Sequence, residues 1–217
     1  MKDFGFYLVM TAPVAGYARC AEAAARAGVA VVQLRMKPAP RADVLREARE
    51  VRKATAGSRT LFIVDDDPEI AVEAEADGVH VGQDDMPVPE VRRRFPELRV
   101  VGLSTHNLAQ VRAAAAVAPD YIGAGPVYPT PTKEIPDPTL GLATLREMVA
   151  AAPCPAVAIG GIDESRLPDV LAAGARNWAV VRAVCRAEDP HAAIMRLLEV
   201  ERRFKESAAA ASTRPDR

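Results

Sequence analysis

Apolar residues follow two rhythms along this chain. Short runs of β-branched and aliphatic residues alternate with longer Ala/Arg/Glu-rich stretches whose apolar positions recur at helical spacing. The short runs predict strands at Phe6–Met10, Val29–Leu34, Thr60–Val64, Val79–Val81, Arg99–Leu103, Tyr121–Gly123, Ala156–Ile159 and Trp178–Val181. The periodic stretches predict helices over Ala42–Ala54, Leu108–Ala118, Leu142–Ala151, Glu164–Ala173 and His191–Phe204. Similar small-residue turns lead into strands: Ala27-Gly28, Ala76-Asp77-Gly78, Ala118-Pro119-Asp120 and Ala173-Gly174-Ala175. Asp67 before Pro68 has the chemistry of a helix N-cap followed by a first-turn proline, and Asn107 and Asp163 are further caps.

Strands that alternate with helices imply a parallel sheet, and eight such units predict a single-domain (β/α)8 TIM barrel over residues 1–206. An open, doubly wound sheet is the alternative. It would normally carry a Gly-rich loop after the first strand, and Thr11-Ala12-Pro13-Val14-Ala15-Gly16 is not one. The tail, 207–217, is small, polar and Pro-ended and reads as disordered.

Composition narrows the class. The 217 residues carry 28 basic against 29 acidic side chains, a formal charge of −1, which argues against a nucleic-acid partner. No run approaches the roughly 18–20 apolar residues of a membrane span. The opening Met1-Lys2-Asp3-Phe4-Gly5 lacks the apolar stretch of a signal peptide. Cys20, Cys154 and Cys185 lie far apart, as reduced thiols would. Together these make a cytoplasmic protein the expectation, with no membrane or nucleic-acid partner; a homodimer stays open.

In a (β/α)8 barrel the chemistry sits at the C-terminal ends of the strands, so the polar strand ends carry the information. The second strand ends Gln33-Leu34-Arg35-Met36-Lys37, and alternation places Gln33, Arg35 and Lys37 on one face. Two cations and an amide at a barrel mouth form an anion site, Arg being suited to fork onto phosphate. The alternative is that both cations pair with carboxylates on nearby strand ends. The third strand ends in Asp65-Asp66-Asp67, of which one of the first two should face the mouth, and Asp84-Asp85 follow the fourth. Carboxylates beside cations suit a hard divalent ion, Mg²⁺ above all, shared with a polyphosphate. Ser104 is a candidate phosphate donor, His106 a loop histidine, and His80 an interior one. The longest loop, from Ala124 to about Leu140, is Pro-rich and carries Thr130, Thr132 and Lys133 in the manner of a lid or clamp. Gly160-Gly161 after the seventh strand would let a ligand approach the backbone closely, and the eighth strand end supplies the other half of a phosphate site.

In order along the barrel, these segments resemble the thiamine phosphate synthase family: Tyr7-Leu8-Val9, Gln33 to Lys37, Phe62 to Asp66, Ala76 to Asp85, Gly102 to His106, Asp120 to Gly123, Gly125 to Lys133 and Ala158 to Ile162. The resemblance implies a transferase that joins 4-amino-2-methyl-5-hydroxymethylpyrimidine diphosphate to 4-methyl-5-(2-phosphooxyethyl)thiazole, releasing pyrophosphate. It implies Asp66 and Asp85 as Mg²⁺ ligands and Gln33, Arg35, Lys37, Ser104 and Lys133 as pyrimidine-diphosphate contacts, with Arg35, Lys37, Ser104 and Lys133 carrying the catalysis. Thr130, Thr132, Gly161 and the strand end near Val181 would hold the thiazole phosphate. No dedicated general base is implied.

Three positions depart from the family pattern. Asp65 stands where Asn is usual, which brings an extra carboxylate to an anion site. Arg182 stands where a small Ser is usual, beside the expected phosphate. Asn177-Trp178 replaces a small Gly-Val step. Asp65 and Arg182 are opposite in charge and would compensate each other if close. Two other functions are compatible with the fold: an isomerase like the thiazole tautomerases, for which His106 is the loop acid/base candidate, and a non-catalytic paralogue that binds the phosphorylated precursors.

Overall fold

The computed structural model describes residues 3–130 and 138–212. Eight parallel strands run β1 (Phe6–Met10), β2 (Val31–Leu34), β3 (Leu61–Asp65), β4 (Gly78–Val81), β5 (Val100–Thr105), β6 (Tyr121–Ala124), β7 (Ala156–Ala158) and β8 (Asn177–Val180). They pair in chain order and close, β8 against β1, into a barrel. The helices alternating with them are α1 (Tyr17–Arg26), α2 (Arg41–Thr55), α3 (Pro68–Glu73), α4 (Val88–Arg94), α5 (Leu108–Val117), α6 (Gly141–Ala151), α7 (Leu167–Ala172), α8 (Arg182–Cys185) and α9 (Pro190–Ser212). This is the expected (β/α)8 architecture.

Helices cover the outer face of the sheet and side chains fill its inside. The strands therefore read as near-continuous apolar runs rather than alternating ones. Every residue of β1 is buried. Alternate residues nonetheless part company. Phe6, Leu8 and Met10 join the outer core under the helices, whereas Tyr7 and Val9 join Val31, Ile63, Val100, Val157 and Ala179 inside the barrel. Two of the predicted caps close helix starts. Asp67 accepts the Ile70 N–H at 2.9 Å ahead of α3, and Asn107 accepts the Gln110 N–H at 2.9 Å ahead of α5. Asp163 acts earlier than expected, organising the turn that precedes α7. The last helix continues through Ser207 to Ser212, into the tail that was expected to be disordered. The alanines at 208–211 are the strongest of helix formers and extend it.

Asn177-Trp178 turns out to belong to barrel closure, not to the mouth. Trp178 pairs with Phe6 in register, is fully buried, and stacks on the Phe6 ring at 4.2 Å on the outer face. Asn177, also buried, accepts the N–H groups of Phe4 (2.6 Å) and Gly5 (3.1 Å) and donates to the Ala156 carbonyl. It clasps the chain's first segment to β8 at the end of the barrel away from the cationic strand ends. Asn177→Ala strands both N–H groups, each a cost of about 1–3 kcal/mol when buried. The expected result is a lower urea midpoint with the m value unchanged.

Candidate active site

At the C-terminal strand ends lies a cavity of about 1270 Å³. That exceeds the roughly 300–1,000 Å³ of a typical single-ligand pocket and suits two small substrates together. It brings together the strand ends singled out from the sequence. Gln33, Arg35 and Lys37 line it from β2, and Asp65 and Asp66 from β3. Asp85 and Ser104 enter from the loop after β4 and from β5. Thr130, Gly161, Val181 and Arg182 complete the opposite wall, beyond β6, β7 and β8. Thr132 and Lys133 lie outside the described residues.

The three consecutive aspartates face three ways, and the backbone explains how. Asp65 ends β3 in register with His80, pointing into the barrel like Ile63 two residues before it. Asp66 is left-handed, at φ 62°, a conformation that Asp tolerates better than most residues. Its N–H bonds the His80 carbonyl at 2.7 Å, which holds the turn. That turn swings Asp66 to the rim and leaves Asp67 to cap α3. Both Asp65 and Asp66 thus line the cavity, where one of the two was expected.

The cations pair with these carboxylates. Arg35 Nε lies 3.4 Å from Asp65 Oδ2 and Lys37 Nζ 3.6 Å from the same atom; Lys37 also pairs with Asp66. Burial pushes the Asp65 carboxyl up from the usual carboxylate range, against the pull of Lys37 and Arg35. Its Oδ2 is buried without a hydrogen-bond partner. Lys37 is about half exposed, so its pairs are solvent-screened and exchangeable. Asp65 and Arg182, which would compensate each other if close, form no ion pair with one another among the described residues. Asp65 is instead paired by Arg35 and Lys37 from the neighbouring β2, whereas Arg182 opens α8 after β8, three strands away around the barrel.

Hard oxygen donors for Mg²⁺ are present on adjacent strand ends. The Gly82 N–H donates to Asp85 Oδ2 at 2.7 Å and fixes that carboxylate, and Asp66, just beyond β3, lines the same cavity. No group of three potential metal ligands occurs among the described residues. Mg²⁺ commonly takes only one or two carboxylates and completes its shell with phosphate and water, so the pair fits it.

On the opposite wall, Gly160 and Gly161 have φ of 103° and 66°. A Cβ on Gly161 would come within 2.7 Å of Tyr128 Cβ. The loop after β6 therefore packs directly on the glycines, and Val127 N–H and Tyr128 N–H bond the carbonyls of Ile159 and Gly160. Arg166 donates to the Gly161 carbonyl at 2.7 Å and lies over the Tyr128 ring, bracing the same junction. Sequence reasoning missed that brace. It also gave no role to Tyr7 and Tyr121, whose hydroxyls form part of the cavity floor. The signal was there: Tyr7 and Val9 share the inward face of β1 by simple alternation. His106 is a strut, its Nδ1 2.8 Å from the Gly125 carbonyl.

Fold and mouth together define a (β/α)8-barrel enzyme whose cavity gathers cations and carboxylates for phosphorylated small molecules. The chain belongs to the thiamine monophosphate synthase family, whose model matches residues 6–184. It is 44% identical over 177 residues to the thiamine-phosphate synthase of Anaeromyxobacter dehalogenans, covering 82% of this chain and 79% of that one. With the thiamine-phosphate synthase of Shouchella clausii it shares 38% over 202 residues, 91% and 96% of the two chains. The solved thiamine phosphate pyrophosphorylase of Pyrococcus furiosus superposes with a TM-score of 0.82 at 31% identity, covering 94% of this chain and 98% of that one. The chain is accordingly a transferase. Among the described residues no helix is long and apolar enough to cross a membrane.

Asp163 offers a pH test of the phosphate-side wall. Burial raises its carboxyl, but hydrogen bonds from the Ser165 hydroxyl and from the Arg166 and Ser165 N–H groups outweigh that and hold it below the ordinary value. A carboxyl depressed by folding stabilises above its unfolded pKa, and the contribution is lost as pH falls through the folded value. Asp163→Ala is therefore expected to be less stable than the parent at neutral pH. The gap should close as thermal melts are repeated below the ordinary carboxylate range.

Proposed function

We propose that this chain condenses hydroxymethylpyrimidine diphosphate with hydroxyethylthiazole phosphate, giving thiamine phosphate and pyrophosphate. The observation that carries the reading is the pairing of Arg35 and Lys37 with Asp65 and Asp66 inside a cavity large enough for both substrates. The bond from the pyrimidine's methylene carbon to the diphosphate oxygen breaks, and its electron pair leaves with the diphosphate. The thiazole nitrogen lone pair then forms the new C–N bond to the pyrimidine cation. No proton must be removed for either step, so the site needs no general base.

Negative charge grows on the leaving diphosphate, and preorganised donors there lower the barrier most. Arg35 and Lys37, released from their carboxylates, supply two such donors, and the Ser104 hydroxyl a third. Asp66 and Asp85 would hold Mg²⁺, which when bound neutralises charge on the departing diphosphate. The wall made by Thr130, Gly161, Val181 and Arg182 is suited to the thiazole phosphate, with Arg182 adding a cation where a small residue is usual. Thr132 and Lys133 belong to the same proposal through the family pattern. The free thiols of Cys20, Cys154 and Cys185 suit a cytoplasmic setting.

The test is pyrophosphate release by the purified chain with both substrates. Release that needs both substrates and stops in excess chelator is expected; full activity in chelator would sink the metal assignment. Binding of both substrates without product after long incubation would favour the non-catalytic paralogue. Arg35→Ala should lower turnover by about 100-fold or more, the loss typical of a transition-state donor. Asp85→Ala should abolish activity, whereas Asp65→Asn should keep or raise it, because it removes a buried carboxylate that competes with the diphosphate for the same cations. Equal losses in these two variants would make Asp65 a ligand instead.

A further inference from the structure

Beneath the cavity, five polar side chains from five strands form an unbroken series. Gln33 Nε2 donates to the Tyr7 hydroxyl at 3.0 Å. The Tyr7 and Tyr121 hydroxyls are 2.8 Å apart. Tyr121 Oη lies 3.0 Å from His80 Nδ1, and His80 Nε2 lies 2.9 Å from Ser104 Oγ. Room for the middle of the series is made by Gly102, where a Cβ would fall within 2.5 Å of His80 Nδ1 and overlap the Tyr121 ring. Gln33, Tyr7 and Tyr121 are buried, at 4%, 2% and 0% exposure, so water does not substitute for these partners.

Each hydroxyl has one hydrogen to give, and a neutral imidazole has one N–H and one bare nitrogen. The Tyr7 and Tyr121 hydroxyls each have only two partners among the described residues, both within the series, so an amide N–H at its head sets the direction of the bonds after it. Tyr7, accepting from Gln33, gives its hydrogen to Tyr121. Tyr121 gives its own to His80 Nδ1, which must be bare. The imidazole hydrogen is then on Nε2 and goes to Ser104 Oγ. The Ser104 hydrogen, displaced from the histidine side, is left to face the cavity. Burial raises both tyrosine hydroxyls far above their ordinary pKa, so neither ionises and interrupts the series.

We infer that Gln33 polarises a hydrogen-bond chain, Gln33 to Tyr7 to Tyr121 to His80 to Ser104, that fixes His80 as its Nε2–H tautomer and makes Ser104 a hydrogen donor toward the cavity. Run in reverse, the chain would take the Ser104 hydrogen for His80 and present oxygen lone pairs to an incoming anion. Gln33, Tyr7, Tyr121 and His80 are thus positioning residues for one donor. The Gln83 side chain steadies that donor's backbone by donating to the Ser104 carbonyl at 2.6 Å. The direction of the chain stands on its hydrogen bonds alone; its use rests on the proposed release of pyrophosphate.

Nitrogen-15 NMR of the imidazoles in the full chain, without ligand, tests the direction. A protonated Nε2 and a bare Nδ1 at His80 are expected; a protonated Nδ1, alone or with Nε2, overturns the inference whatever the enzyme catalyses. Gln33→Glu puts an acceptor at the head of the chain and should flip His80 to the Nδ1–H form; an unchanged tautomer in the folded variant also overturns it. Tyr121→Phe cuts the chain without adding charge and keeps the ring. It should weaken the binding of inorganic pyrophosphate about tenfold where Ser104 is present and have no further effect in Ser104→Ala. Equal weakening in both backgrounds would show a merely structural role and refute the positioning of Ser104. Pyrophosphate failing to bind the parent chain would count against the proposed function, while the tautomer would still decide the direction.

Discussion

Parallel pairing of β1 with β8 is the contact on which the rest depends. It joins segments from the two ends of the barrel, Phe6 to Trp178 and Leu8 to Val180, and turns an open twisted sheet into a cylinder. Only in a closed cylinder do side chains from β2, β4, β5 and β6 converge on one axis. The Phe6–Trp178 stack and the Asn177 clasp reinforce this seam from the outside and from below. An aromatic pair of that kind adds about 0.5–1.5 kcal/mol beyond its buried area, a useful increment where the sheet must find its own far edge.

Closure also creates a problem of volume, which the interior solves with unequal side chains. Two tyrosines and a histidine occupy the middle of the barrel, and glycines on neighbouring strands, Gly102 above all, give way to them. The result is a core that is apolar at the bottom, hydrogen-bonded in the middle and charged at the top. Polarity thus rises along the barrel axis toward the cavity, and the hydroxyls of Tyr7, Tyr121 and Ser104 find partners from different strands. That cross-linking favours one arrangement of the interior, because an exchanged register would strand several polar groups at once.

Much of this was legible in the sequence because parallel strands under helices leave strong local signals. The β-branched runs located all eight strands, with boundaries displaced by a residue or two, and Asp67 and Asn107 announced their helices through the side-chain oxygens that N–H groups require. Gathering Gln33, Arg35 and Lys37 needed only the alternation of a strand. What escaped depended on turns or on distant neighbours. Asp65 and Asp66 both reach the cavity because Asp66 adopts a left-handed backbone, which no spacing rule reveals. Asn177 and Trp178 stood out as departures from a family pattern, but their meaning lay in Phe4, Gly5 and Phe6, far away along the chain. Tyr7 and Tyr121 looked like ordinary apolar strand residues because their hydroxyls meet only once the barrel has closed.

The paired charges at the mouth have a consequence for selectivity. Arg35 and Lys37 do not form an open electrostatic well, since Asp65 and Asp66 already engage them. An anion that arrives must trade one ion pair for another, so a small anion with a single charged group gains little from the exchange. A ligand that carries several phosphate oxygens together with its own divalent cation re-pairs both sides, anion with cations and metal with carboxylates. On the proposed function, the mouth would therefore suit a neutralised unit of metal and polyphosphate better than a simple anion.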